Sequence, residues 1–374
     1  MDDHHRILEL LDGPTTRGDE AKILGLLARS SDAGLDATLA KVDLGRLISD
    51  IDDRLVGPDN RERLIDLLTR ERVDALSPQT RARLIRAFSR GRTSHQDERA
   101  IHAVLLASTG TTLTAVKRWI DMAGDHRHLL HIVYSDIDDA GLRAQILAHI
   151  RREAAGVQER RRLVLSDIDD TIYSNFGDRR WPKKTIYPGV LRLYELLSRD
   201  APVFVTARPA DRTGIVEALT QLSLRKRGIQ RSTVLAGDLL HIHNNDAIAA
   251  RKLSNFQAYA ELFAEFDFVF IGDSSQGDAA FGASMHEQAP DRVHAVLIHD
   301  VTHTEAAQRD EWGLRGVRVF DNYVGAARIL CELGILDADA WRSVAAAARE
   351  EFAALGIAEA ATRERLQADL DAEL

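Results

Sequence analysis

The sequence predicts an α/β fold, a three-layer, Rossmann-like parallel sheet preceded by an all-α helical domain. Three observations carry that reading. Residues 1–155 place apolar residues at helical spacing with almost no strand pattern, whereas from Arg161 onward short apolar runs alternate with helical segments, the signature of a parallel sheet with crossover helices. The run Leu163-Val-Leu165 is continuously apolar, the pattern of a strand covered on both faces, and it empties into Ser-Asp-Ile-Asp-Asp-Thr171. A second such run, Phe268-Val-Phe-Ile-Gly272, empties into Asp273. Ligand sites of open α/β sheets lie at these carboxyl ends of the strands.

The helical region comes first. Ile23, Leu24, Leu27 and Leu64, Ile65, Leu68 recur at helical spacing, and the region repeats itself. Asp19-Glu-Ala-Lys-Ile-Leu-Gly-Leu-Leu-Ala-Arg-Ser30 parallels Asp97-Glu-Arg-Ala-Ile-His-Ala-Val-Leu-Leu-Ala-Ser108, and each copy later reaches Ser-Asp-Ile-Asp-Asp, at 49–53 and 135–139. Two related helical units are expected. The same five residues occur a third time at 166–170, which supplies an internal control: only that copy follows a strand and precedes a threonine, so the first two read as helix caps and solvated carboxylates. In the Asp-Glu followed by an apolar helix, and the later Ser-Asp, the two units resemble annexin repeats. Annexins bind calcium through a glycine-rich loop, and the corresponding segments here, Thr15-Thr-Arg-Gly18 and Ser94-His-Gln96, lack that pattern. The other reading of this half is a platform for dimerisation or partner binding.

A basic, glycine-containing connector at 156–162 leads into the sheet domain, expected over 156–340. Strands are expected at 163–166, 203–206, 233–235, 268–272, 295–298 and 317–320, and helices at 190–198, 212–222, 255–263 and 277–286. The alanine-rich stretch 341–374 is read as a surface or oligomerising helical extension without chemistry. The composition is that of a soluble globular protein, 45% hydrophobic and 29% charged with a net charge of −9, and the acidic balance argues against a nucleic-acid scaffold. A single cysteine, Cys331, excludes an internal disulfide and suits a reducing compartment. With no signal-like start and no apolar span long enough for a bilayer, a cytoplasmic protein is expected.

Four strand ends contribute the residue types that phosphoryl transfer needs, namely a nucleophile, positioning and charge neutralisation. Asp167-x-Asp169-x-Thr171 offers a carboxylate nucleophile and a second carboxylate two residues on that can move a proton. Thr206 ends a strand with a hydroxyl for a phosphoryl oxygen, and Lys252, read at a helix start, neutralises the phosphorylated aspartate. Asp273 and Asp278 follow the fourth strand. Acidic strand ends that meet in one crevice repel unless a cation sits between them, and hard oxygen ligands select Mg²⁺. Asp167, Asp273 and the main-chain carbonyl of Asp169 are the expected ligands, with Asp278 orienting metal waters or Lys252. The pair His241 and His243 tempts a metal reading, but without a third ligand it reads as a polar face.

In this order the four segments match the motifs of the haloacid dehalogenase superfamily. More narrowly, Ser166-Asp-Ile-Asp-Asp-Thr-Ile172, Tyr187-Pro-Gly-Val190, Lys252, Gly272-Asp-Ser274, Ile298-His-Asp-Val301 and Phe320-Asp-Asn-Tyr323 resemble the actin-patch-type phosphatidate phosphatase catalytic domain, over about 160–340. The resemblance implies a minimal-cap, Mg²⁺-dependent phosphomonoester hydrolase with an aspartyl-phosphate intermediate, acting on phosphatidate. The Ala-Arg-Pro after Thr206 departs from that pattern. Two readings stand for Arg208, a grip on a second phosphate or headgroup and an ion pair with Asp211. Segment 174–186 lies where the superfamily places its flap, and carries Trp181 and Lys183. It is read either as a contact with a phospholipid surface or as a clamp for a soluble phosphate ester. A phosphatidate-binding module without turnover is the alternative, and the presence of Asp169 speaks against it.

Overall fold

The computed structural model describes residues 3–12, 15–51, 59–91, 93–209, 215–237, 245–275 and 277–373. The chain divides into two compact units. One comprises Met1–Ala123, Arg127–Val157 and Glu261–Ala264, the other Gly124–His126, Gln158–Ala260 and Glu265–Leu374. Among the described residues no helix is long and apolar enough to cross a membrane.

The first unit is helical: α1 (Asp3–Leu10), α2 (Arg17–Arg29), α3 (Asp32–Lys41), α4 (Leu44–Asp50), α5 (Asn60–Asp66), α6 (Pro78–Phe88), α7 (His95–Leu106), α8 (Gly110–Asp121), α9 (Leu129–His131) and α10 (Ala140–Ala155). The two Asp-Glu pairs have matching structural duties. Thr16 and Ser94 accept the N–H groups of Asp19 and Asp97, whose carboxylates reach back to the cap residues, so each pair opens its helix with a capping box. The glutamates are buried and serve a later helix. Glu20 accepts from Asn60 Nδ2 at 2.7 Å, at the start of α5, and Glu98 accepts from the N–H groups of Asp138 and Asp139, just before α10. Both pairs therefore satisfy helix-terminal donors that burial would otherwise orphan.

The second unit is built on six parallel strands. In chain order it runs β1 (Arg161–Ser166), α11 (Val190–Leu197), β2 (Val203–Pro209), α12 (Ile215–Arg225), β3 (Thr233–Gly237), α13 (Asn245–Leu262), β4 (Phe266–Asp273), α14 (Asp278–Gln288), β5 (Val293–His299), α15 (Ala306–Leu314), β6 (Val317–Phe320) and α16 (Tyr323–Glu332). The strand order β3-β2-β1-β4-β5-β6 reverses direction at β1, which makes the carboxyl end of β1 a topological switch point. All eight residues of β4 are buried, as a central strand with both faces covered requires.

Several elements differ from the sequence reading, among them α16, which it did not contain. Helix α13 begins at Asn245 rather than near 255, so Lys252 sits inside the helix instead of at its start. Alanines 247, 249 and 250 are strong helix formers that leave no apolar stripe to read. The crossover helix α15 was also missed: it buries no residue, so it has no apolar face to betray it.

Beyond the sheet, α17 (Ala338–Ala354) and α18 (Ala360–Asp371) belong to this unit. Val344 joins the main core, while Ala345, Ala348, Phe352, Leu366 and Leu370 build a second cluster with Val324. Small alanines let α17 lie close to Gly189, whose left-handed backbone (φ 88°) precedes α11. A Cβ there would come within 3.2 Å of Ala348 and Val344. The Gly189 N–H donates to Glu351 at 2.7 Å.

Candidate active site

At the switch point the sheet ends and acidic residues begin. The Asp167 N–H donates to Ile271 O at 2.9 Å, so the chain is still held to β4 where the Asp167 side chain leaves the sheet. β4 delivers Asp273 and the start of α14 delivers Asp278. Carboxylate oxygens of the three residues lie within 4.8 Å of one another, and all three side chains are buried. From α13, Lys252 Nζ donates to Asp167 Oδ1 at 3.1 Å and to Asp278 Oδ1 at 2.6 Å. The Asp273 N–H donates to Asp278 Oδ2 at 3.3 Å. Gly272 makes this approach possible: a Cβ at 272 would lie 2.6 Å from the Asp278 side chain. The glycine ahead of Asp273 is thus a packing requirement of the acidic cluster.

The cluster is short of positive charge. Three carboxylates face one ammonium, so full ionisation would leave two negative charges uncompensated in a buried site. Burial pushes the Asp167 carboxyl up to about 7; Lys252 opposes the rise and Asp278 adds to it. Asp273 is driven well above the usual carboxylate range by burial and then by Asp278 and Asp167. Burial works against the charge on Lys252, yet Asp167 and Asp278 outweigh it and hold the ammonium firmly protonated. Asp273 Oδ1 accepts from the N–H and hydroxyl of Ser275, whereas Oδ2 is buried without a hydrogen-bond partner among the described residues. An orphaned carboxylate oxygen, an all-oxygen donor set and an excess of carboxylates over cations are what a hard divalent cation would satisfy.

The segment after β1 is fixed by Asp170, a residue to which the sequence reading assigned no role. It adopts the left-handed conformation (φ 56°), and its carboxylate accepts the N–H groups of Asn175, Phe176, Gly177 and Asp178 at 2.6–3.4 Å. This nest of donors closes the loop over one charge. Asn175 also donates its side-chain amide to Asp169 Oδ1 at 2.9 Å, so the loop orients the second aspartate of the motif. At the base, Tyr173 bridges to Ile186, the Lys184 N–H donates to Ser174 O at 2.6 Å and the Ser174 N–H donates to Thr185 O at 2.9 Å.

The remaining motifs brace this loop from behind. Tyr187, His299, Phe320 and Tyr323 form one aromatic cluster, and the Tyr323 hydroxyl donates to Thr171 O. His299 Nδ1 contacts Asp170 O at 2.9 Å; a carbonyl only accepts, so that nitrogen carries the proton and Nε2 faces Arg180. Burial and then the charge on Arg180 hold His299 neutral, its pKa below the ordinary value. Arg180 forms a two-pronged ion pair with Asp178 at 3.0 Å, and Asp178 also accepts from the Tyr187 hydroxyl. Asp170, Asn175, Asp178, Arg180 and His299 were not read as site residues. Their signal was present in the motif residues Tyr187, His299 and Tyr323, which converge on the loop.

Asp167, Lys252, Asp273 and Asp278 are thus brought together, and Asp169 faces the loop. Thr206 is buried within β2, the neighbour of β1, just before the irregular pairing that carries the strand on to Pro209. Thr171 is fully buried, its hydroxyl without a partner among the described residues. Trp181 does not stand out from the surface: its ring packs edge-on against Tyr187 and Phe352, each at 6.0 Å, and, partly buried, it packs against both core clusters. Lys183 is exposed on the loop. Arg208 lies in β2, with its side chain outside the described part, and Asp211, His241 and His243 lie outside the described residues. In the helical unit Asp50 pairs with Arg46 and Asp136 with His131; Asp52 and Asp53 lie outside the described residues.

Fold and site together define a doubly wound α/β domain with a dry acidic crevice at its switch point. The family model Phosphatidate phosphatase APP1, catalytic domain, matches residues 131–300, somewhat less than half of the chain. The domain is accordingly a phosphatase, a phosphoric monoester hydrolase. The match begins before β1, in the helical unit, and ends at Asp300, so Phe320-Asp-Asn-Tyr323 lies beyond it. No curated protein and no solved structure matches the chain.

Proposed function

We propose that the protein is a Mg²⁺-dependent phosphomonoester hydrolase of the haloacid dehalogenase type that works through an aspartyl phosphate and acts on phosphatidate. The observation that carries this reading is the buried cluster of Asp167, Asp273 and Asp278 around Lys252. Asp167 is the nucleophile. Its carboxylate attacks phosphorus, the ester P–O bond breaks, and an acyl phosphate forms on Asp167. Asp169, held through Oδ1 by Asn175, gives its proton to the departing alkoxide oxygen. It then takes a proton from the water that attacks the phosphoryl group, releasing phosphate and restoring Asp167. Lys252 and Thr206 stabilise the charge on the phosphoryl oxygens. When bound, Mg²⁺ held by Asp167, Asp273, Asp278 and the carbonyl of Asp169 supplies the positive charge that lets a carboxylate approach an anionic substrate.

Phosphatidate is favoured by the family match and by the short loop over the crevice: no cap domain stands between β1 and α11 or between β2 and β3 among the described residues. Such a substrate makes the protein a peripheral enzyme, which we assign to the cytoplasmic face of a membrane. The test is Mg²⁺-dependent phosphate release from an aryl phosphate and from phosphatidate. Asp167→Asn should be silent on both, and wild-type rates in that variant would refute the mechanism.

A further inference from the structure

The geometry points to Phe176 as a membrane anchor: the loop 175–184 inserts this ring into an anionic phospholipid surface and so seats the crevice at the depth of the headgroup phosphates. This rests on the phosphatidate reading for its purpose, but its physical content is separate. Phe176 is 74% exposed, a large apolar cost for a residue that a mobile loop would fold away. Here the loop has no such freedom, because the Asp170 carboxylate accepts the Phe176 N–H at 3.0 Å and those of its neighbours on both sides. The ring is held out by a clamped backbone.

Its neighbours locate it. Asn175 touches Asp169 at 2.9 Å, and a Cβ at Gly177 would lie 3.4 Å from Ser275, the residue that holds Asp273. The exposed ring therefore stands between two residues that border the acidic crevice. The charge around it suits an anionic surface. Asp178 and Arg180 neutralise each other, which leaves Arg179, Lys183 and Lys184 exposed, none of them paired with a carboxylate among the described residues. Three such cations on one loop contrast with a chain whose net charge is −9. An aromatic ring flanked by lysine and arginine is the composition of interfacial anchors, the ring burying apolar area and the cations meeting the negative surface. Trp181, the other aromatic of the loop, is excluded from this role by its packing against Phe352 and Tyr187.

The test uses the full chain and vesicles of phosphatidylcholine with and without phosphatidylserine, which carries no phosphomonoester and so reads binding apart from turnover. Wild-type protein should co-sediment with the phosphatidylserine vesicles. Phe176→Ser should weaken that binding about tenfold, the effect of withdrawing one aromatic ring from an apolar environment. Arg179→Glu with Lys184→Glu should weaken it further and remove its dependence on salt. Turnover of phosphatidate in vesicles should fall in parallel, while turnover of a water-soluble aryl phosphate by Phe176→Ser stays within about twofold. Vesicle binding that depends on Phe176, without hydrolysis of phosphatidate, would support the anchor and remove only the substrate assignment. Binding unchanged in Phe176→Ser, or an equal loss on the soluble ester, would overturn the proposal, as would wild-type protein that ignores vesicles, which would leave the loop to a protein partner.

Discussion

The segments 135–139 and 166–170 share the sequence Ser-Asp-Ile-Asp-Asp and do different things. In the helical unit Asp136 is partly exposed and pairs with His131 at 3.3 Å, and Asp139 caps α10 by accepting from Gly141 and Leu142. At the sheet, Asp167 is buried against Lys252, and Asp170 accepts four backbone donors. The last aspartate is a collector of N–H groups in both. The first is buried beside a lysine and two more carboxylates only where a strand end carries it there. The surroundings of the motif, not the motif, set its environment.

The contrast breaks first at Asp167, the proposed nucleophile. Asp167→Asn should lower kcat/KM on any phosphomonoester by about 10⁴-fold, whereas Asp136→Asn should leave it within about twofold. Equal losses in the two variants would mean that the helical copy takes part in the reaction. Next comes the counter-charge. Lys252→Met leaves three buried carboxylates without their cation and should destabilise the metal-free protein by about 3–5 kcal/mol in urea unfolding, with added Mg²⁺ restoring part of the loss. Removing the His131 partner of Asp136 should cost about 1 kcal/mol, because the histidine side of that pair is partly open to solvent.

A pH series sharpens the same point. The folded-state pKa of Asp167 is about 7, against an ordinary 3.8, so without metal the folded state holds a proton that the unfolded chain has released. The contribution of this group to stability is full below about pH 4 and is lost as pH rises through 7. Thermal unfolding in chelator should therefore show a lower Tm at pH 8 than at pH 6. Asp167→Asn should flatten that difference and Asp136→Asn should leave it intact. The smallest contrast lies at the last aspartates. Asp170→Ala should cost about 2 kcal/mol and open the loop to proteolysis, since it orphans four donors. Asp139→Ala should cost about 1 kcal/mol, the usual loss for a helix cap.

The strands were legible because a buried parallel strand needs an unbroken apolar run, and Leu163-Val-Leu165 and Phe268-Val-Phe-Ile271 are such runs. Asp167 and Asp273 were legible as the residues that end them. Lys252 was read at a helix start and lies inside α13, because an alanine-rich helix hides its start. The loop was half legible. Its composition promised an aromatic among cations, but tertiary packing decides which aromatic is exposed: Trp181 finds Phe352, ~170 positions away in the chain, and Phe176 stays 74% exposed. The clamp by Asp170 could not be read at all, since accepting four successive N–H groups depends on a left-handed backbone that no residue type announces.

The central claim is that phosphate passes through Asp167. Acid quench during turnover of phosphatidate with Mg²⁺, borohydride reduction and peptide mass spectrometry would read it directly, because borohydride converts an aspartyl phosphate to homoserine. The account predicts homoserine at position 167 and unaltered aspartate at 136, 169 and 273. Homoserine at any of those positions, or turnover with none at 167, would contradict it.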